Sequence, residues 1–358
     1  MRAPSFSTLI RALALTLACA ASGSMLTGCV VARGAKALFS SPREVAKLKS
    51  PIDKNARLAV LWVGHATALV QMDDKVILTD PVFASSVGQV SKRLVEPGLD
   101  PENLPPIDAV LISHMHVDHL SLGSLDTIEK KIRMMLMPPG GVTYLTDFGF
   151  PVIELRTWQG WEKDGLRVTA VPVDHAGWRY GLDYAWMKHA FTGYVVEYHG
   201  MKVYFGGDTA YDQKLFIETA QHFPGIDLAL LPIGPIEPRD FMRTMHMDPP
   251  EAVQAFFDLG AKRMVPIHYD TFGTLADQPG EALRGLLAAK KRWVLGPEIA
   301  PLAIGERRIF LKQGEGPSAE PAKKTDSWSA PTPSTPATSK PTAPSKPKAD
   351  IPDDDKLD

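Results

Sequence analysis

Short apolar runs, broken at regular intervals by glycine, proline and aspartate, fill the chain between about residues 56 and 312. Runs of this length, rich in β-branched and aromatic residues, predict strands over 58–63, 68–72, 76–78, 109–113, 167–173, 192–198, 202–206, 228–233 and 263–267. Helical signals are fewer and come mostly later. The clearest has Asp248 as N-cap, Pro249 at the first helical position, Glu251 at the third, apolar Val253, Phe256 and Phe257, and Gly260 as terminator. Many early strands with helices interleaved predict an α/β chain in which helices cover the outer faces of two sheets. Residues 29–55 are polar and helix-compatible and read as an anchor and linker. From 313 to 358 the chain turns rich in Pro, Ser, Thr and Lys, as in Pro331-Thr332-Pro333-Ser334, and predicts a disordered tail that cannot offset its ordering entropy by burial.

The first 28 residues read as an address. Arg2 and Arg11 form a short positive region, and the apolar run from Leu9 to Ala21 is too short to span a membrane as a mature helix. Leu26-Thr27-Gly28-Cys29 resembles the lipobox of bacterial lipoproteins, in which the cysteine is acylated and becomes the new N-terminus. Membrane attachment through lipidated Cys29 is therefore expected, in the bacterial cell envelope. Val30 in place of the aspartate associated with inner-membrane retention points to the outer membrane, facing the periplasm.

Composition narrows the picture slightly. A formal net charge of −2 argues against the strongly basic surface that nucleic-acid binding requires, so no nucleic-acid partner is expected. The two cysteines are Cys19 and Cys29, and cleavage before Cys29 leaves no pair for a disulfide.

The histidines matter more than the charge. His114-Met115-His116-Val117-Asp118-His119 follows the apolar strand 109–113 directly. In extended chain, His114 and His116 project to one side and can meet a single cation. A turn after them would deliver Asp118 and His119 to a second point, an arrangement that suits two ions. The pattern arises by chance in roughly one such chain in two thousand, and imidazoles crowded beside a carboxylate without a cation desolvate one another.

On these residues the chain resembles the metallo-β-lactamase superfamily, and within it the N-acylphosphatidylethanolamine-hydrolysing phospholipase D branch. The matching stretches are Trp62-Val63-Gly64-His65-Ala66-Thr67, Leu78-Thr79-Asp80-Pro81-Val82-Phe83, residues 105–114, Phe205-Gly206-Gly207-Asp208-Thr209, Glu237-Pro238-Arg239 and His246-Met247-Asp248-Pro249. The resemblance implies a four-layer αββα sandwich of two mixed β-sheets over residues 56–312. It also implies two divalent ions: His114, His116 and His175 on one, Asp118, His119 and His268 on the other, and Asp208 bridging. His65 would support these ligands from behind. The donor set, free of sulfur, suits Zn2+, with Mn2+ or Fe2+ as alternatives.

The activity so implied is hydrolysis by a metal-bridging hydroxide, Asp118 orienting the nucleophile and His246 or Arg239 meeting the developing negative charge. A glutamate replaces His116 in the di-iron flavoprotein branch, and the cysteine ligand of some true β-lactamases has no counterpart here, so neither chemistry is expected. The expected substrate is a lipid or small-molecule ester, first a phosphodiester such as an N-acyl phospholipid. A lactone is the alternative within the fold, and a non-catalytic metal-binding envelope lipoprotein the alternative of another class. The stretch 176–190 interrupts two strands and reads as a lid, with Trp158, Trp161, Trp178, Tyr180, Tyr184, Trp186 and Phe191 as candidates to line an apolar entrance. His189, His199 and His222 read as surface residues.

Overall fold

A computed structural model describes residues 41–88, 91–273 and 276–316. The expected leader, Cys29 and the tail beyond residue 316 lie outside the described residues. No described helix is long and apolar enough to cross a membrane.

Strands β1 (Ala56–Gly64), β2 (Thr67–Met72) and β3 (Lys75–Thr79) form an antiparallel meander. Parallel pairing then adds β6 (Ala109–Leu111), β7 (Met135–Met137) and β8 (Val152–Glu154), while β15 (Arg307–Lys312) returns to pair with β1 at the other edge. The second sheet runs in the order β14 (Met264–Ile267), β13 (Leu228–Pro232), β12 (Met201–Phe205), β11 (Gly193–Tyr198), β10 (Leu166–Val171), β9 (Gly160–Lys163). It is parallel among β12, β13 and β14 and antiparallel elsewhere, so both sheets are mixed. A small hairpin, β4 (Ser86–Val87) with β5 (Ser91–Lys92), stands apart.

Burial explains which elements are strands. Every residue of β2, β6, β7, β13 and β14 is buried, the near-continuous apolar composition of strands covered on both faces. The edge strand β9 (GWEK) is largely exposed, and its charged residues discourage further pairing. A core of Leu61, Leu69, Leu78, Val110, Ile112, Leu125 and Met135 lies under the first sheet and α1 (Leu122–Ile128).

Helices α2 (Tyr184–Met187), α3 (Gln213–His222), α4 (Arg239–Met242), α5 (Pro249–Asp258) and α6 (Glu281–Arg292) complete the layout. The expected start of α5 is present in full. The Asp248 side chain accepts from Glu251 N at 2.9 Å, the Glu251 side chain accepts from Asp248 N at 3.2 Å, and Pro249 occupies the first position. The buried residues Ala282, Leu286 and Ala289 share one face of α6, which packs on α5.

The structure departs from the sequence reading in three ways. Residues 41–55 form no helix. The strands β7, β8, β9 and β15 and the helices α1, α3 and α6 carry no signal picked up along the chain, because they are short or present only a narrow apolar face to the core. The run 109–113 leaves its strand after Leu111, and 167–173 leaves after Val171, so Ser113 and His175 stand in loops.

Replacing Asp248 by alanine removes the capping box and should destabilise the protein by about 1 kcal/mol. The check is a lower urea midpoint with an unchanged denaturant slope; an unchanged midpoint would show that the cap contributes nothing.

Candidate metal centre

The loops that follow β1, β3, β6, β10, β12 and β14 open at one rim of the sandwich, and each carries a polar residue into the same space. They bring His65, Asp80, the 114–119 motif, His175, Asp208 and His268 together. The loop between α4 and α5 adds His246. His114, His119, His175, Asp208, His246 and His268 are buried, and His116 and Asp118 are half-buried.

Two groups of donors form. His114 Nε2 lies 2.8 Å from His116 Nδ1, which in turn lies 3.4 Å from His175 Nε2. In the second group, His119 Nε2 and His268 Nε2 are 3.2 Å apart, and the Asp118 carboxylate lies 3.6 and 3.8 Å from them. Asp208 stands between the groups: Oδ2 is 3.1 Å from His119 and 3.9 Å from both His114 and His175, and Oδ1 is 3.1 Å from His268.

Hydrogen bonds on the far side of each ring set the tautomers. His175 Nδ1 donates to the Met245 carbonyl at 2.9 Å. His119 Nδ1 donates to Asp80 Oδ2 at 2.6 Å. Ser113 Oγ donates to Asp80 at 2.6 Å and so accepts from His114 Nδ1 at 2.9 Å. Each ring then turns its Nε2 edge inward, the orientation metal-ligating imidazoles take, and a cation meets that nitrogen once any proton on it has left. Polar capacity is left unmet there: Asp208 Oδ1 and His116 Nε2 are buried without a hydrogen-bond partner. A buried polar atom left this way is costly unless something satisfies it. A divalent cation in each group would do so, and the donor set fits one.

The protein's own charges split the imidazoles. Burial, aided by the neighbouring rings, holds His114 and His175 well below the ordinary histidine value, and burial takes His246 down to about 4. Burial also works against charge on His119 and His268, but the carboxylates outweigh it, raising His119 well above normal and His268 to about 9. Burial works to raise the carboxyls of Asp208 and Asp118, and the facing imidazoles overcome it, so both stay ionised well below the usual range.

Backbone conformation shows how firmly the site is set. His65, Asp80 and His268 have φ of 54°, 32° and 63°, the left-handed region that side chains other than glycine rarely adopt. Each is pinned. His65 N donates to Thr271 Oγ1 at 2.6 Å and its carbonyl accepts from Trp62 Nε1 at 2.9 Å and His268 N at 3.0 Å. Asp80 N donates to the Leu111 carbonyl at 2.8 Å, and Thr67 Oγ1 donates to the Asp80 carbonyl at 2.6 Å. Gly207, at φ 59°, could carry no Cβ, which would fall 2.3 Å from the Ser113 Cβ. That close approach brings Asp208 beside His114.

His65 donates from Nε2 to Asp118 Oδ2 at 2.9 Å, and its ring lies 3.9 Å from that of His268. It has donor geometry as well as a supporting position, since it groups with Asp118, His119 and His268. Asp80 joins the site without any sequence signal of its own. It lies within a stretch noted only for its resemblance, and its two oxygens bind Ser113 N, Ser113 Oγ and His119.

Arg239 faces protein groups. Its Nη1 donates to the His246 carbonyl at 3.0 Å, Nη2 pairs with Glu251, and Nε faces Asp248 at 3.6 Å. With all three nitrogens facing protein acceptors, it positions His246. His246 Nδ1 sits 3.7 Å from Asp208 Oδ2.

The aromatic candidates divide. Trp178 meets the His116 ring edge-on at 4.6 Å, and Phe191 approaches His175 at 6.5 Å. Trp158 instead stacks on His222 at 4.1 Å, and Trp161 lines a cavity with Lys75 and Asp108, at the strand ends opposite the centre. Trp161 is directed by β9 to that far rim, and the Trp158 ring is taken up by His222. The 176–190 stretch is tied down: Arg179 Nη1 donates to the Met115 and Leu120 carbonyls at 3.0 and 2.7 Å. His189, His199 and His222 are exposed.

Residues 75–269 match the family described as beta-lactamase superfamily domain. An uncharacterized protein of Mycobacterium tuberculosis is 36% identical over 263 residues, covering 70% of this chain and 67% of its own. The N-acyl-phosphatidylethanolamine-hydrolyzing phospholipase D 1 of Caenorhabditis elegans is 30% identical over 254 residues, covering 65% of this chain and 71% of its own. Among solved structures, the metallo hydrolase Igni18 of Ignicoccus hospitalis superposes with a TM-score of 0.52 at 21% identity, over 70% of this chain and 97% of that one, a likeness of fold.

Removing Asp80 by substitution with alanine frees the His119 ring and should weaken divalent-metal binding by about 10- to 100-fold, measured by competition with a chromophoric chelator. Metal uptake should also release protons. His119 and His268 carry protons near neutral pH that a cation must displace, so apparent affinity should climb as pH rises towards about 9, the His268 value. Calorimetric titration of chelator-stripped protein in buffers of different ionisation enthalpy reads the release directly, and uptake without proton release would contradict it.

Proposed function

The chain belongs to the beta-lactamase superfamily and is a metal-dependent hydrolase, and from that premise we propose that it cleaves a phosphodiester, such as that of an N-acyl phospholipid, using two divalent ions. The observation that carries this reading is the pair of donor groups meeting at one buried carboxylate, Asp208. Similarity over 254 residues to a phospholipase D that hydrolyses N-acyl-phosphatidylethanolamine supports the substrate class. So does the apolar surface of the neighbouring segment: Leu182 is 91% and Trp186 71% exposed, with Tyr180 and Tyr184 also exposed. Such side chains suit contact with a lipid phase.

Two divalent ions held by the donor groups would lower the pKa of the attacking water and draw charge from the oxygens of the scissile group. Zn2+ suits a set of imidazoles and carboxylates. The remaining steps belong to the chain. Asp118 stays ionised and receives the His65 donor on Oδ2, which leaves Oδ1 to accept a hydrogen bond from the water and hold it in line. It is half-buried, so the proton it receives has a way out to solvent.

His246 is uncharged at neutral pH, and its partnerless Nδ1 beside Asp208 can donate to oxygen as negative charge develops there. Arg239 holds the carbonyl of that same residue. Trp178 and Phe191 wall the His116 and His175 side and limit water there.

The test is turnover of bis(p-nitrophenyl) phosphate and an N-acyl-phosphatidylethanolamine by metal-loaded protein, beside a simple lactone. The phosphodiesters should be cleaved, and Asp208→Ala should lose at least 1000-fold in rate together with bound metal. Lactone turnover alone would replace the phosphodiester reading, and an active Asp208→Ala protein with full metal would end it. His246→Ala should lower kcat by about 10²-fold with metal content unchanged, which separates its role from that of a ligand.

A further inference from the structure

Away from the metal centre, edge strands β14 and β15 of the two sheets converge beside the end of α6. A cavity of about 490 Å³ lies there, lined by Arg263, Lys290 and Arg308 and by Ile299, Ile309 and Phe310. Among the described residues, no acidic residue lines it, and none of the histidine or aspartate donors of the metal centre does.

The three cations come from three elements. Arg263 precedes β14, Lys290 lies in the last turn of α6, and Arg308 lies on β15. Each spends a small part of its hydrogen-bonding capacity: Arg263 Nη1 on the Lys262 carbonyl at 2.9 Å, Lys290 Nζ on the Ile299 carbonyl at 2.9 Å, and Arg308 Nη2 on Glu306 at 2.6 Å. A guanidinium has five N–H donors and an ammonium three, so several remain. Glu306 balances one charge from outside the cavity. Lys290 also answers the negative end of α6, along with Lys291 and Arg292, but that accounts for neither arginine. Like charges gathered over an apolar floor raise a positive potential that an anion relieves.

We infer that this cavity binds a phosphate monoester with an apolar body. The head, carrying about −1.5 to −2 charge at neutral pH, meets Arg263, Lys290 and Arg308. The apolar part lies against Ile299, Ile309 and Phe310. The volume falls in the range of about 300–1,000 Å³ usual for small-ligand sites. The inference rests on these residues and not on the reaction proposed for the metal centre.

The test is calorimetric titration of the metal-loaded full chain with monomeric dihexanoylphosphatidate, beside dihexanoylphosphatidylcholine and inorganic phosphate. Phosphatidate should bind one per chain and at least tenfold more tightly than either comparator. The Lys290→Gln, Arg308→Gln double variant should weaken it at least tenfold, and Lys290→Gln alone by a smaller factor. Turnover of bis(p-nitrophenyl) phosphate should stay unchanged, since neither side chain touches the metal centre. Affinity that survives the double variant would place the ligand elsewhere and overturn the assignment. Phosphate binding as tightly as phosphatidate would overturn the role given to the apolar floor, and absence of binding would overturn the site altogether.

Discussion

Everything at the rim of this sandwich answers to one buried carboxylate. Asp208 faces nitrogens of His119 and His268 at 3.1 Å, His246 at 3.7 Å, and His114 and His175 at 3.9 Å. A single negative charge cannot satisfy five imidazoles out of water, and the atoms left without partners show the shortfall. Such a cluster is tolerable when a cation shares it, so the electrostatics that would destabilise an ordinary core become the specification of a metal centre.

Holding that cluster requires loops that do not relax. Left-handed conformations at His65, Asp80 and His268 cost about 1–3 kcal/mol each, and they persist because neighbouring donors and carbonyls over-determine them. Trp62, Thr67 and Thr271 do this directly. Arg93 does it from below: buried against the Phe272 ring, it donates to the Val82 and Ala84 carbonyls at 2.6 and 2.8 Å and braces the loop that follows Asp80. Strands buried on both faces supply the rigid base, and strand ends supply the positions, which is why ligands far apart in sequence meet within ångströms.

Around this fixed centre the chain distributes its polarity unevenly. A net charge of −2 suggests no partner, yet local groupings differ sharply from the average. The segment before β11 exposes aromatics while Arg179 clamps it to the 114–119 loop. The junction of β14, β15 and α6 gathers cations over apolar residues. Both are properties of surfaces, created when distant segments meet, and neither is visible in a sum of charges.

By itself, the sequence determined the α/β class, most of the central strands and the capped start of α5, because period, turn residues and capping chemistry act over a few neighbouring positions. It also held the 114–119 motif, whose spacing is local, and the resemblance that named His175, Asp208 and His268 along with it. Only tertiary structure decided the rest. Asp80 binds His119 across 39 positions, His65 reaches Asp118 across 53, and Arg239 turns to Glu251 and the His246 carbonyl. Trp161 went to the opposite rim for the same reason: the direction of a side chain on a strand is set by the packing of the sheet around it, which no local pattern encodes.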